Sequence, residues 1–273
     1  MNGIPTFEAT GGNWLTDVVN GIRTAGVAVL GGVLDAGRVQ ALADATLRAQ
    51  EGSVREVGSA RLDAAGEQGV VRLPMRFDPE FFSLFEVEEI LTAVDAVIGS
   101  TSVCHLQNAF VLPSLPPGLP PMFQNSLHRD FPRYLGGYVA SLNALVCLTP
   151  FREDTGATKF ILGSHQRQGD LPPTDAKAVD AEAEPGTVVF FDSTIWHCSG
   201  QNTSGSDRLG INHQFTRSYF KQQIDYSRAL GEELVGGLPE TTKRLMGWYT
   251  RVPTSLDEYY RPPDERLYRA GQG

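Results

Sequence analysis

Residues 187–216 read TVVFFDSTIWHCSGQNTSGSDRLGINHQFT. Three short runs in this stretch, 187–191, 196–200 and 208–216, are rich in apolar, β-branched and aromatic residues. Asp, Ser, Gly and Asn clusters separate them, which is the punctuation of turns between strands. Upstream, residues 103–112 alternate in the same way. Cys104, Leu106, Phe110 and Leu112 are expected on one face, and His105, Gln107 and Ala109 on the other. Further strands are expected at 124–130, 137–148 and 158–162. Many short strands with regular turn signals predict a mainly β chain, a sandwich or barrel of the double-sheet jelly-roll type.

Outward from this block the pattern changes. Residues 26–30 read as a short strand. Asp35 then caps a helix, because Val39, Leu42, Ala43, Thr46 and Leu47 follow at helical spacing. A second helix is expected over 86–97, with Ile90, Leu91, Val94 and Val97 on one side. The division is a mixed helical part at 1–100, a β core at about 101–220 and a weakly helical extension at 221–273, all within one domain 1–273. Loops 113–121, rich in Pro, and 163–186, long and polar, are expected to shape a pocket.

The formal net charge of −9 opposes phosphate backbones and anionic membrane surfaces, so neither nucleic acid nor membrane is expected as a partner. The three cysteines, Cys104, Cys147 and Cys198, are odd in number and form no CxxC pair. That argues against a disulfide framework and for a reducing, cytoplasmic setting. No signal-peptide pattern opens the chain, and its apolar runs are too short to span a bilayer.

The chemistry concentrates in few residues. Of five histidines, His128 stands two positions before Asp130. In a strand such a pair shares one face and reaches one metal ion. Alone the pair is weak, since roughly 0.6 such pairs arise by accident in this composition. A surface His/Asp pair explains it as well. His197 sits inside a run that looks like a buried strand, and Arg208 falls on the next one. Two histidines and a carboxylate leave open positions on iron(II). A guanidinium on that strand can pair bidentately with a carboxylate, as a dicarboxylate cosubstrate requires. Taken singly, His197 is a core histidine and Arg208 a surface charge. Taken together with His128 and Asp130, they read as a site.

The ordered set resembles the phytanoyl-CoA dioxygenase family of 2-oxoglutarate-dependent oxygenases over roughly residues 20–220. The resemblance rests on Gly26-Val27-Ala28-Val29-Leu30 before the Asp35 helix, and on His128-Arg129-Asp130. It rests also on 143–148, Asp154-Thr155-Gly156-Ala157-Thr158, Leu162-Gly163-Ser164-His165, and His197-x-Ser199-Gly200-x-Asn202 with Arg208. It implies a cupin-like double-stranded β-helix with flanking α-helices. It implies that His128, Asp130 and His197 bind Fe(II) and that Arg208, helped by Ser199, binds 2-oxoglutarate. Gln107, Asn125 and Thr158 fall at positions that often face the cosubstrate. For Gln107 a structural hydrogen bond is an equal reading.

Of the other histidines, His165 reads as structural, and His105 and His213 as pocket or core residues. Trp196 and Phe191 read first as core. Related halogenases replace the carboxylate ligand with a small residue, so Asp130 implies oxygenation or another oxidation with O₂ rather than halogenation, releasing succinate and CO₂. The expected substrate is a small organic molecule oxidised, most simply hydroxylated, at a C–H bond, specialised-metabolite or amino-acid-like. Arg72, Arg76, Arg129, Arg133 and Tyr134 are candidates to meet an anionic group, each weighed against solvated surface. A CoA thioester fits an acidic chain poorly. Two alternatives stay open: a cupin-type metal oxygenase or isomerase without 2-oxoglutarate, and a non-catalytic jelly-roll binding protein.

Overall fold

The structure, a computed structural model, describes residues 3–115 and 126–271. Among these, seven strands form one sheet in the order β1-β2-β8-β5-β10-β4-β3, and three form a second, β7-β6-β9. The first sheet comprises β1 (Thr6–Glu8), β2 (Val27–Gly31), β3 (Val70–Arg72), β4 (Val103–Leu112), β5 (Ser141–Cys147), β8 (Val188–Asp192) and β10 (Arg208–Thr216). The second comprises β6 (Thr158–Phe160), β7 (Val179–Asp180) and β9 (His197–Ser199). The two sheets and the helices behind the larger one make the expected jelly roll.

Helices α1 (Trp14–Ala25), α2 (Ala36–Val57), α3 (Ser59–Ala64) and α4 (Glu88–Ile98) precede the β core. The Asp35 side chain accepts from the Arg38 backbone N–H at 2.9 Å and so caps α2 as its sequence predicts. Gly26 ends α1 with φ 85°, a conformation that costs glycine little, and hands the chain directly to β2. Short helices α5 (Tyr226–Leu230), α6 (Glu232–Gly236), α7 (Glu240–Leu245) and α8 (Leu256–Tyr259) make up the weakly helical tail.

Alternation along the central strands divides the interior in two. On β5, Leu142, Ala144 and Val146 join Leu209, Ile211 and Phe215 of β10 against the helices. Leu145 and Cys147 face the other way, with Val189, Phe191, Phe151 and Phe160, between the two sheets. Both faces being covered explains why 141–147 is buried at every position.

Three expectations need correction. Residues 126–130 form no strand; within them only His128 pairs, by an isolated bridge to His197. The strand expected from 137 begins at Ser141, because Gly136 and Gly137 both take positive φ. On β4 the two faces exchange near its start. The register against β10 shifts between Gln214 and Phe215, opposite Leu106 and Cys104. This bulge sends Cys104 to the helical core while His105 and Leu106 both line the inner cavity.

Candidate active site

His128 and His197 face each other across their bridge, with N···O distances of 2.9 and 3.0 Å in the two directions. Their rings lie 4.4 Å apart. Each ring is oriented by its own backbone: Nδ1 of His128 donates to Ser126 O at 2.8 Å, and Nδ1 of His197 to Ile195 O at 3.0 Å. That fixes the tautomer and turns both Nε2 atoms toward Asp130 Oδ1, each at 3.7 Å. The ligand atoms of all three residues lie within 4.8 Å of one another.

Asp130 is itself held. Its Oδ2 accepts from Asn143 Nδ2 at 2.9 Å, leaving Oδ1 for a metal. Asn143 also donates to Ser193 Oγ at 2.8 Å and accepts from Asn212 at 2.8 Å. Gln214 and Ser141 close the network around Ser193. Desolvation lowers the pKa of buried His197, opposed by the nearby Asp130 carboxylate. Its imidazole is therefore neutral and able to bind metal at physiological pH. Phe191 and Phe160 pack on its ring at 4.9 and 5.8 Å.

A cavity of about 430 Å³ opens on this face. Ser199, Thr158, Leu145, Phe191 and Arg208 line it beside the three candidate ligands. Thr158 and Ser199 are cross-strand partners on β6 and β9. Arg208, 8% exposed, lies 4.4 Å over the Phe151 ring. It donates to Gly156 O and, at 3.4 Å, to Ser199 Oγ. Gly156 has φ +78°, and a Cβ there would stand 2.7 Å from Gly200 O, so glycine brings that carbonyl to the guanidinium. No carboxylate pairs with Arg208 among the described residues, and its Nε has no partner. Burial pushes the guanidinium down to about 10. A cation kept in so dry a place is completed by an anion.

The other sequence candidates divide. Gln107 is on the opposite face of β4, where Nε2 donates to Phe81 O at 3.1 Å and touches His213 Nε2. It does not line the cavity; the bulge between Gln214 and Phe215 restores alternation so that Gln107 faces the helices. Asn125 lies outside the described residues, as does most of the 113–121 loop. Arg129 turns away from the metal motif and donates to Ser164 O, Arg167 O and Gly169 O. His165 bonds Arg23 O at 3.2 Å and is no fourth ligand. Arg76 pairs with Glu56 away from the cavity, whereas Arg72 lines it. The sequence reading missed Asn143, Ser193, Asn212 and Gln214 as site residues. Polar side chains at alternate positions of an otherwise apolar strand were the available signal.

The donor set fits a metal: two oriented imidazole nitrogens and a carboxylate whose second oxygen is already bonded. A jelly roll with that set facing its cavity has the architecture of a non-haem metal enzyme. The chain belongs to the phytanoyl-CoA dioxygenase (PhyH) family, which matches residues 22–210, and is thus an oxidoreductase of the Fe(II)/2-oxoglutarate-dependent dioxygenases. An uncharacterized protein of Mycobacterium tuberculosis is 52% identical over 262 residues, covering 95% of this chain and 96% of that one. The iron/alpha-ketoglutarate-dependent dioxygenase penM of Penicillium thymicola is 31% identical over 137 residues, 45% of this chain and 42% of that one. The alpha-ketoglutarate-dependent epimerase SnoN from nogalamycin biosynthesis shares the fold, with TM-score 0.56 and 20% identity over 76% of this chain and 83% of that one. Among the described residues no helix is long and apolar enough to cross a membrane.

Proposed function

We propose that the protein uses Fe(II), 2-oxoglutarate and O₂ to hydroxylate a C–H bond of a small organic substrate, releasing succinate and CO₂. His128, Asp130 and His197 hold the iron, and Arg208 receives the far carboxylate of 2-oxoglutarate. The observation that carries this reading is the buried Arg208, without an acidic partner, in the same cavity as the triad. Iron held there supplies the oxidising power by coupling decarboxylation of the cosubstrate to activation of O₂.

The chain's own residues do the rest. Asn143 keeps Asp130 from rotating. Ser199 sits within reach of both Arg208 and the cosubstrate position. Thr158, its cross-strand neighbour, contributes a second hydroxyl to that wall. Phe191 and Leu145 give the reacting region an apolar lining that excludes water. A small metabolite matches the size of the cavity.

Anaerobic reconstitution with iron(II) and 2-oxoglutarate tests this reading through the visible metal-to-cosubstrate band, followed by succinate once O₂ is admitted. The band is expected in the wild type, lost in His128→Ala and weakened in Arg208→Ala. Normal iron binding without a band at saturating 2-oxoglutarate would favour a cupin-type enzyme instead.

A further inference from the structure

The cavity continues past the triad along the inner face of the large sheet, and its polar groups there are ordered by strand register. Asn212 of β10 stands opposite Leu145 of β5 on one side and Asn108 of β4 on the other. Asn108 stands opposite Arg72 of β3. One row of side chains thus runs across four strands, from the sheet centre to its edge. Leu145, Asn212, Asn108 and Arg72 all line the cavity, with Glu67, His105 and Gln223 beside them.

Charge in this row is cancelled. Arg72 Nε lies 3.2 Å from each Glu67 carboxylate oxygen, and Nη2 lies 2.5 Å from Oε1. Its Nη1 donates to Gln223 Oε1 at 3.2 Å. With the Asn108 amide oriented to satisfy both neighbours, its oxygen also accepts from Arg72 Nη1 at 2.8 Å. The guanidinium is therefore committed to partners on the wall.

Behind this surface two buried polar atoms have no partner among the described residues. Asn212 gives its amide N–H to Asn143, and its buried Oδ1 has no donor. The buried His105 Nδ1 likewise has no partner among the described residues. A carboxylate placed here would meet acceptors and a guanidinium already neutralised. An ammonium would meet Arg72 with the Glu67 charge already spent. Either would lose hydration without a matching counter-charge. A hydroxyl donates to the lone pairs that the Glu67 carboxylate, 31% exposed, keeps beyond those given to Arg72, and brings no charge.

We propose that the Asn212–Asn108–Arg72 row, with Glu67 and His105, is the substrate-recognition wall and selects an uncharged, hydroxyl-bearing molecule. The proposal rests on the reading of the cavity as an iron and 2-oxoglutarate site.

The test uses matched trios, each an alcohol with the carboxylate and the amine of the same skeleton. The skeletons are a methyl hexoside, a cyclitol, a phenol and a terpenoid. Binding is read by ligand-observed NMR on metal-free protein, and turnover by succinate formation on the reconstituted enzyme. In the wild type the alcohol of at least one trio binds about tenfold tighter than both counterparts. Glu67→Gln unmasks Arg72 and moves preference about tenfold toward the carboxylate; Arg72→Gln moves it toward the amine. A wild type in which no alcohol leads its trio, or variants that leave the order unchanged, overturns the proposal. If the iron–cosubstrate band is absent while the alcohols still bind, the wall stands and the cosubstrate assignment falls.

Discussion

His128 and His197 exchange both backbone hydrogen bonds, at 2.9 and 3.0 Å, across an isolated antiparallel bridge. The spacing of the two imidazoles is therefore set by main chain. Side-chain rotamers only aim them, and each rotamer is pinned at Nδ1 by a carbonyl two residues upstream. The face proposed to bind metal is thus ordered by the chain itself, which lowers the ordering cost of binding an ion there.

Asn143→Ala removes the hydrogen bond that fixes Asp130 Oδ2. Iron(II) or cobalt(II) affinity should fall by about 10–100-fold, the usual range for losing a partner of a ligand. Asn212→Ala, one bond further out, should cost less. Metal titration checks the order, with circular dichroism to confirm that both variants fold.

Arg208→Met should weaken 2-oxoglutarate by about 2 kcal/mol or more, roughly 30-fold. The metal-free variant should melt no lower than the wild type, because burial disfavours the charged guanidinium in the folded state. At a fixed 2-oxoglutarate concentration that saturates the iron-loaded wild type, its melting temperature should rise, and the variant's should rise much less. A variant that keeps the full ligand-induced rise would remove Arg208 from the cosubstrate site.

Burial pushes the His213 imidazole down to about 3. Below pH of about 6.5 the unfolded chain takes up this proton while the folded chain does not. Stability is thus fully present above that pH and falls as the pH drops toward about 3, by up to about 1.4 kcal/mol per unit. His213→Gln should start less stable yet lose less between about pH 6 and about pH 4. Urea midpoints across that range measure it. The slope left over belongs in part to His105 and His197, whose values burial also lowers.

Arg129→Ala breaks three side-chain bonds to the carbonyls of Ser164, Arg167 and Gly169, and the stacking 4.9 Å over Trp196. Amide hydrogen exchange should quicken over residues 164–170, while α2 and β5 stay protected. Unchanged exchange there would mean that the loop is held by other contacts.

Most of the fold was legible because short apolar and β-branched runs alternate with turn residues and Asp35 is a clear cap. The triad was legible because histidines are few and ordered. Gln107 was misplaced because a bulge leaves no mark in composition: one residue out of step reverses which side chains look inward. Asn143 was passed over because 141–147 is buried throughout, and in such a strand the polar positions look like exceptions to the core. They are the rear support of a ligand. The 124–130 segment reads as a strand by pattern, yet its described part pairs only at His128, since the partner strand β9 is three residues long.

The alternation on β5 and β10 has a consequence for variation. Leu142, Ala144, Val146, Leu209, Ile211 and Phe215 answer to the helices, while Asn143, Leu145, Arg208, Asn212 and Gln214 answer to the cavity. Neighbours along the chain are thus under separate selection. A lineage can rewrite cavity-facing positions that hold neither Asp130 nor the cosubstrate, Leu145 among them, to reach new substrates while its folding machinery stays fixed in the gaps between them. Recombining such faces, one residue on and one off, is a route by which a single scaffold diversifies its chemistry without first becoming more stable.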